Sequence, residues 1–492
     1  MKNSTKRAHF TFDNSFQRDL EGFYAPWQGE AVPNPKMVKF NAPLAHEMGL
    51  NANALNSDLG AAILSGSQAV EGAASLAQIY AGHQFGNFTP QLGDGRALLL
   101  GEVIDNNGHR RDIHLKGAGR TPFSRGGDGK AALGPVLREY ILGEAMHALG
   151  VPTTRALAAV TTGEDVQRET QLPGAVLTRV ASSHIRVGTF QYFAARGDMG
   201  KVRQLADYTI ARHFPHLTAA DNPYLGLLDM VSNTQAKLVA QWMLVGFVHG
   251  VMNTDNMAIS GETIDYGPCA FMDGYDPDAN FSSIDHQGRY AYRNQPLMAR
   301  WNLARLAEAL LPLIDDNNDR GVEKATTSVN AFTNIYVSYW LEGMRKKLGL
   351  TTTEDGDLDL ANTLLMAIEH QNVDYTKLFR ALSKAASGDY EAVLSLAPTL
   401  EVWLQQWKGR CAKEPVSVNA RAKAMNAVNP VYIPRNHKVE EALSSAVANE
   451  DFSKFEALMD VLSDPFTARE GWNDYAEPAP ADFGAYKTFC GT

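Results

Sequence analysis

The chain has 492 residues, of which 45% are hydrophobic and 20% charged, and its formal net charge at pH 7 is -10. This acidic balance argues against nonspecific binding to nucleic acid or to an anionic membrane, because both need a basic protein surface. No stretch approaches the roughly 20 apolar residues that span a bilayer. The N-terminus also lacks the apolar core of a signal peptide, so we expect a cytoplasmic protein.

The N-terminal third of the chain predicts a hairpin. The first eighty residues are mixed, with a helix predicted near 42–48. Residues 96–103 are strand-like, and the Asp-Asn-Asn-Gly sequence at 105–108 favours a tight turn because Asn and Gly tolerate positive φ. Residues 111–116 then alternate between apolar and polar side chains, which predicts the second strand of a hairpin.

This second strand presents a lysine. Alternation places Ile113 and Leu115 toward a core and His114 and Lys116 on the other face. Lys116 could bind a phosphate, or it could be a solvated edge residue that opposes aggregation. Glu139, on the next predicted helix, could pair with Lys116 and hold it in place.

A glycine-rich turn stands immediately before the hairpin. Gly93 and Gly95 would let backbone N–H groups approach a phosphate, and Arg96 adds further donors. An ordinary tight turn is the alternative, because an isolated Gly-x-Gly is a weak signal.

A second glycine-rich segment, GAGRTPFSRGGDGK at 117–130, has five glycines and cannot be regular structure. Asp128 and Gly129 in this segment could contact the sugar or base of a nucleotide. Arginine forks suit a polyphosphate or a pyrophosphate leaving group. The candidate cationic ligands are Arg120, Arg125, Lys130, Arg179 and Arg186.

The rest of the chain is predominantly helical. The predicted elements are a helix at 131–149, strands at 154–162 and 173–180, and helices at 224–248, 296–314 and 328–347. We therefore predict an α+β fold with a small β-rich N-lobe, a large helical C-lobe and a ligand cleft between them.

The long helix ends near His249, where a kinase-like pattern begins. A protein kinase has an asparagine seven residues after its catalytic-loop histidine, followed by an Asp-Phe-Gly triplet. Asn256 and the Asp265-Tyr266-Gly267 triplet match this order. Both side chains carry the hard oxygens that magnesium prefers.

One position departs from the kinase pattern. Two residues after His249, where a kinase has its base aspartate, this chain has Val251, which cannot accept a proton. Asp255 is the nearest carboxylate that could replace that base. Alternatively, Asp255 only orders the loop.

With these motifs in view, the chain resembles the selenoprotein O family, called YdiU in bacteria, over nearly its whole length. The strings that carry the resemblance are YAGHQFG at 80–86, QLGDGRA at 91–97, HLKGAGRTPFSR at 114–125, NTDNM at 253–257, DYGPC at 265–269, NQP at 294–296 and the C-terminal CGT.

The resemblance implies a kinase-like pseudokinase that holds ATP in a flipped orientation and transfers AMP to Ser, Thr or Tyr hydroxyls of proteins. It implies magnesium as the metal, with manganese as an alternative that broadens the nucleotide choice toward UTP. The implied general base is Asp255, and the implied metal ligands are Asn256 and Asp265. The implied nucleotide-site residues are Gly93, Gly95, Arg96, Lys116, Asp128, Gly129, Glu139, Arg179, Arg186 and Asp265.

With the resemblance, the chain divides into an N-terminal extension at 1–80, an N-lobe at 81–195 and a helical C-lobe with a redox tail at 196–492. Cys490 stands where some members carry selenocysteine, and a reversible disulfide between Cys490 and Cys269 is one hypothesis. Two unrelated free thiols are the alternative, since cytosolic disulfides are usually transient. The competing functions are a γ-phosphate-transferring kinase and a non-catalytic ATP-sensing scaffold.

Overall fold

A computed structural model describes residues 10–488. The strands are β1 (Tyr24–Pro26), β2 (Lys36–Phe40), β3 (Leu76–Gln78), β4 (Gly82–Gln84), β5 (Asn87–Thr89), β6 (Ala97–Ile104), β7 (Arg110–Lys116), β8 (Ala131–Ala132), β9 (Arg155–Gln167), β10 (Gln171–Ala181), β11 (Phe247–Val248) and β12 (Ala270–Phe271).

The α-helices outnumber the strands. They are α1 (Ser15–Asp19), α2 (Ala42–Glu47), α3 (Ala52–Leu55), α4 (Asp58–Leu64), α5 (Leu133–Ala148), α6 (Val187–Ala194), α7 (Met199–His213), α8 (Pro223–Leu244), α9 (Gln295–Ile314), α10 (Asn318–Lys347), α11 (Asp357–Ile368), α12 (Tyr375–Ala385), α13 (Glu391–Leu394), α14 (Glu401–Cys411), α15 (Val418–Asn426), α16 (Asn436–Asn449) and α17 (Ser453–Leu462). The fold is therefore mixed, with an antiparallel sheet in the first part of the chain and helices dominating the rest.

The main sheet has eight antiparallel strands. Its order is β1-β3-β6-β7-β10-β9-β2, and β8 pairs with β10. Strands from the first eighty residues therefore form both edges: β2 pairs with β9 at one edge, and β1 pairs with β3 at the other. This segment is part of the sheet.

The predicted β6–β7 hairpin is present. Ile104 pairs with Arg110 at its turn, and Ala97 pairs with Lys116 at its open end. Ile113 and Leu115 are buried as alternation predicts, but His114 on the opposite face is also 0% exposed. Both faces of β7 are covered, so His114 belongs to a buried polar cluster.

Several element boundaries differ from the sequence prediction for identifiable reasons. Helix α8 ends at Leu244 because Gly246 has a φ of +71°, and Phe247 then pairs with Phe271 in a short ladder. Helix α10 begins ten residues earlier than predicted, where the Asn317 side chain accepts a hydrogen bond from Arg320 N. Strand β9 continues past its polar residues because a register shift in its ladder with β10 accommodates them.

The core has three main parts. One lies among helices α6 to α14, a second covers one face of the main sheet, and a third joins α5 to α16 and α17. Within residues 10–488, no helix is long and apolar enough to cross a membrane.

Candidate active site

A cavity of about 1450 Å³ opens between the main sheet and the helical part of the chain. Its lining combines the turn at 93–96, the end of β7, the loop at 123–129, one face of α5, and the two segments around Asp255 and Asp265. The cavity is lined by all twelve residues that the family resemblance implies for the site: Gly93, Gly95, Arg96, Lys116, Asp128, Gly129, Glu139, Arg179, Arg186, Asp255, Asn256 and Asp265.

Lys116, the last residue of β7, lies between two carboxylates. Its Nζ is 2.6 Å from Oε2 of Glu139 on α5 and 3.1 Å from Oδ1 of Asp265. Burial alone would lower the pKa of Lys116, but the charges of Asp265 and Glu139 outweigh it and raise the pKa. The side chain therefore stays a cation at the wall of the cavity.

Two buried arginines stand beside this lysine. Nη1 of Arg179, on β10, donates to Oε1 of Glu139 at 3.1 Å. Nη1 of Arg186, just before α6, donates to the backbone oxygen of Asp255 at 3.2 Å, and its guanidinium lies 4.3 Å from the ring centre of Tyr80. One region of the cavity thus holds three cations, which suits a polyphosphate group.

The ring of His249 holds the segment after α8 through hydrogen bonds to backbone atoms. Nε2 of His249 donates to the backbone oxygen of Ile264 at 2.9 Å, which ties the loop to the residue before Asp265. The backbone N–H of Val251 donates to Nδ1 of His249 at 3.3 Å. Val251 lines the cavity with an apolar side chain, so it supplies no proton acceptor.

Asp255 is 7% exposed and faces the cavity. Its Oδ2 accepts a hydrogen bond from Nε2 of Gln84 at 3.2 Å, and its Oδ1 has no partner among residues 10–488. Burial raises its pKa to about 6. A carboxylate that lines the cavity and has a pKa near neutrality is suited to accepting a proton from a hydroxyl group.

Asn256 and Asp265 provide oxygen atoms suitable for a divalent cation. Nδ2 of Asn256 donates to the backbone oxygen of Val251 at 3.2 Å, and the side-chain oxygen of Asn256 accepts no hydrogen bond from residues 10–488. Burial would raise the pKa of Asp265, but the Lys116 charge outweighs it and holds the pKa well below its usual range. The residues present fit a magnesium ion that takes its other ligands from phosphate and water.

The glycine-rich loop contributes Asp128 and Gly129. Asp128 is held by the fork of Arg168, with Nη1 at 2.8 Å from Oδ2 and Nη2 at 3.2 Å from Oδ1. Gly129 has a φ of +70°, and a Cβ there would lie 2.0 Å from the backbone oxygen of Gly119. Glycine is therefore required for the loop to close on itself.

The other basic residues near this loop divide into two groups. Arg96 and Arg125 line the cavity. Lys130 is paired with Glu164 at 2.9 Å, and Nε of Arg120 donates to the backbone oxygen of Gly127 at 3.1 Å. Arg120 and Lys130 therefore stabilise the loop, whereas Arg96 and Arg125 are available at the cavity.

A family model described as protein adenylyltransferase SelO matches residues 6–463. This chain belongs to the SelO family. A protein of Cereibacter sphaeroides, named protein nucleotidyltransferase YdiU, is 60% identical over 487 residues, which cover 98% of this chain and 100% of that protein. Proteins with the same name from Rhizobium etli and Rhizobium rhizogenes are each 58% identical over 490 residues. They cover 99% and 98% of this chain, and 98% and 97% of their own lengths.

The sequence predicted no role in the site of this SelO-family protein for three polar residues, Gln84, Asp94 and His114. Gln84 contacts Asp255, and Asp94 contacts His114 behind the arginines. Gln84 and Asp94 fall within strings that carry the resemblance, but no local pattern distinguishes their side chains from ordinary turn residues. Asp255 is 171 residues from Gln84, and His114 is 20 residues from Asp94, so only the fold reveals these contacts.

The structure describes one of the two cysteines of the disulfide hypothesis, Cys269. Cys269 is buried, its Sγ donates to the backbone oxygen of Tyr266 at 3.2 Å, and burial raises its pKa to about 12. Cys490 lies outside the described residues. Thr488 donates from Oγ1 to the backbone oxygen of Pro268 at 2.8 Å, so the described end of the chain contacts the residue before Cys269.

Proposed function

We propose that this protein transfers AMP from ATP to Ser, Thr or Tyr hydroxyl groups of other proteins and releases pyrophosphate. Membership of the SelO family supports the reaction class. The observation that carries the proposal is the cluster of Lys116, Arg179 and Arg186 at a cavity that also contains Asp255. Three cations suit the pyrophosphate end of ATP. The flipped orientation of ATP that the family resemblance implies would then present the α-phosphate to an acceptor hydroxyl.

In the proposed reaction, the acceptor oxygen attacks the α-phosphorus of ATP. The bond between that phosphorus and the oxygen bridging to the β-phosphate breaks, and pyrophosphate leaves. Asp255, which lines the cavity, accepts the hydroxyl proton on its carboxylate. Lys116, Arg179 and Arg186 hold the phosphates of the leaving group, while Gly93, Gly95 and Arg96 line the same nucleotide site.

Asn256 and Asp265 are the proposed metal ligands, with magnesium as the metal and manganese as the alternative, the latter extending nucleotide use toward UTP. When bound, the cation neutralises phosphate charge. Glu139 positions Lys116 and Arg179, and Asp128 and Gly129 contact the nucleoside. We place this activity in the cytoplasm, with ATP and protein substrates as partners and neither nucleic acid nor membrane among them.

We also propose a kinase-like arrangement of two lobes around this cavity. The main sheet with α5, largely within 81–195, would form the N-lobe, and residues 196–492 the helical C-lobe. Residues 1–80 would be an extension whose strands complete the sheet. The cavity is lined both by Lys116 and Glu139, from the sheet and α5, and by Asn256 and Asp265, from the later segment, which supports this division.

The test uses ATP labelled at either the α- or the γ-phosphate, with magnesium and a protein acceptor. We expect covalent α-label with the wild-type protein and none with Asp265→Ala. Asp278→Ala is the matched control, because Asp278 lies in the same segment but pairs with Arg293 at the surface, with its side chain 63% exposed.

Each competing function predicts a different result. Covalent γ-label alone would establish a kinase and refute AMP transfer. Absence of both labels, together with an ATP-induced rise in Tm, would indicate a scaffold that binds nucleotide without turnover.

A further inference from the structure

Two buried residues without an assigned role, Asp94 and His114, lie directly behind the arginines. Nε2 of His114 is 3.2 Å from Oδ2 of Asp94, and Nδ1 of His114 is 3.0 Å from Nη2 of Arg179. Asp94 is 2% exposed and His114 0%. The three side chains therefore form a continuous hydrogen-bonded series that ends at the cavity wall.

The partners of His114 determine its tautomer. Arginine can only donate hydrogen bonds, so Nδ1 of His114 must accept from Arg179. The proton of the neutral ring is then on Nε2, where it is donated to the Asp94 carboxylate. Burial lowers the pKa of His114 to about 4, although Asp94 opposes this, which agrees with a neutral ring.

Asp94 also forms an ion pair, outside the hydrogen-bonded series, with the second arginine. Its Oδ1 is 3.5 Å from Nη2 of Arg186, and its Oδ2 also accepts from the backbone N–H of Gln78 at 3.0 Å. Asp94 stands between Gly93 and Gly95, so the glycine-rich turn carries the carboxylate that serves both arginines.

We propose that Asp94 and His114 are positioning residues that hold Arg179 and Arg186 in place for the polyphosphate end of the nucleotide. Glu139 accepts from Nη1 of Arg179 and His114 from Nη2, so both terminal nitrogens of this arginine are fixed before a ligand arrives. Donors fixed in advance need no reorganisation when phosphate charge arrives. This inference rests on the proposed nucleotide-binding function.

The register of the sheet explains why this arrangement forms. Arg179 on β10 is the direct cross-strand partner of His114 on β7. Directly opposed residues of antiparallel strands project from the same face of the sheet. Lys116, two residues after His114, projects from that face as well, so Lys116 and Arg179 line the same wall of the cavity.

The test compares two substitutions of similar size at one position. His114→Leu removes both the donor and the acceptor, whereas His114→Gln keeps one of each in its carboxamide. The probes are ATP and inorganic tripolyphosphate, titrated calorimetrically into the full-length protein. We expect His114→Leu to raise the Kd for both probes about ten-fold or more, because hydrogen bonds to charged groups are strong, and His114→Gln to recover part of that loss.

His184→Leu is the matched control. The His184 ring stacks on His114 with centroids 4.1 Å apart, is equally buried, and bonds to Asp112 at 3.0 Å. It makes no hydrogen bond to Arg179 or Asp94 among residues 10–488. We expect His184→Leu to lower Tm without changing the affinity for tripolyphosphate.

Two results would overturn the inference. One is wild-type affinity in His114→Leu, and the other is an equal loss of affinity in His114→Leu, His114→Gln and His184→Leu, which would mean a general packing role. Wild-type protein that binds neither ATP nor tripolyphosphate would instead refute the proposed nucleotide site itself. Asp94→Asn provides a second variant if His114→Leu does not fold.

Discussion

The side chain of Gln84 donates a hydrogen bond to the carboxylate of Asp255, with Nε2 3.2 Å from Oδ2, although the two residues are 171 positions apart in the chain. The β4–β5 hairpin makes two further bonds to the same loop. The backbone N–H of His83 donates to Oγ1 of Thr254 at 2.7 Å, and that of Phe85 to Oδ1 of Asn253 at 3.0 Å. The hairpin therefore fixes the loop that carries the proposed base.

This contact predicts an effect of Gln84 on turnover. Gln84→Leu removes the donor and should lower kcat about ten-fold to a hundred-fold, since a hydrogen bond to a charged group contributes about 1.5–3 kcal/mol. Gln84→Glu should be worse, because it places a like charge beside Asp255. Steady-state kinetics with α-labelled ATP would measure both, and the KM for ATP should change less than kcat. Equal rates in wild type and both variants would contradict a positioning role for Gln84.

Glu139 joins two of the three cations, so its removal should weaken nucleotide binding. Glu139→Gln leaves Lys116 and Arg179 without their shared anion, and we expect the Kd for ATP to rise about ten-fold. Glu144→Gln is the control on the same helix: Glu144 pairs with Arg155 at 2.8 Å and does not line the cavity. Glu144→Gln should lower Tm but leave the Kd for ATP unchanged. Calorimetric titration of ATP into both variants would measure the two Kd values. An equal loss of affinity in Glu139→Gln and Glu144→Gln would contradict the prediction.

The glycine-rich loop offers two glycines with different surroundings. Gly129 and Gly126 have φ values of +70° and +88°, but a Cβ at Gly126 meets nothing within 4 Å. Gly126→Ala should therefore cost only the backbone strain, about 1 kcal/mol. Gly129→Ala adds a collision with the backbone of Gly119 and should distort the loop. We expect ATP affinity to fall in Gly129→Ala and to stay near wild type in Gly126→Ala, and similar affinities in the two variants would contradict this.

Lys347, at the end of α10, predicts a dependence of stability on pH. Its side chain is buried against the ring of Phe379, with Nζ 4.0 Å from the ring centre, and burial lowers its pKa to about 7 from 10.5. Between these two values the unfolded state binds more protons than the folded state, so this lysine's contribution to stability rises with pH. Below pH 7 both states are protonated, and the cost of burying the charge is complete.

Lys347→Met should therefore stabilise the protein most at pH 7 and much less near pH 10. The difference is on the order of 1.4 kcal/mol for each unit of pKa shift. Urea unfolding at the two pH values would measure it. Lys346→Met is the control, because Lys346 is 58% exposed and pairs with Glu342 at the surface. A gain for Lys347→Met that does not change with pH would contradict the assignment.

The redox hypothesis keeps its own test. Mass spectrometry of oxidised protein should find a peptide that joins Cys269 to Cys490, with Cys411 as the internal control that stays unpaired. Because Cys269 is buried with its pKa near 12, it should react slowly with a thiol reagent in the folded protein. Absence of the joined peptide would exclude gating by this disulfide.

The sequence by itself determined the short-range features of this protein. Alternation and a turn of Asn and Gly predicted the β6–β7 hairpin, and glycine content predicted the irregular loop at 117–130. The close spacing of Asn256 and Asp265 also predicts a metal site, and Val251 predicts the loss of the kinase base; both stay predictions. These inferences were possible because turns, periodicity and loop spacing depend on neighbouring residues.

Only the tertiary structure decided how distant residues meet. Strand pairing brought Arg179 opposite His114, and the β4–β5 hairpin brought Gln84 to Asp255. Packing over the whole core decides the register of the sheet and the position of the β4–β5 hairpin, so no local sequence pattern predicts either of them. Neighbouring charges likewise separated the two carboxylates. Burial raises the pKa of both, but the cations beside Asp265 hold its pKa low, while the pKa of Asp255, which has fewer cations nearby, is raised toward neutrality.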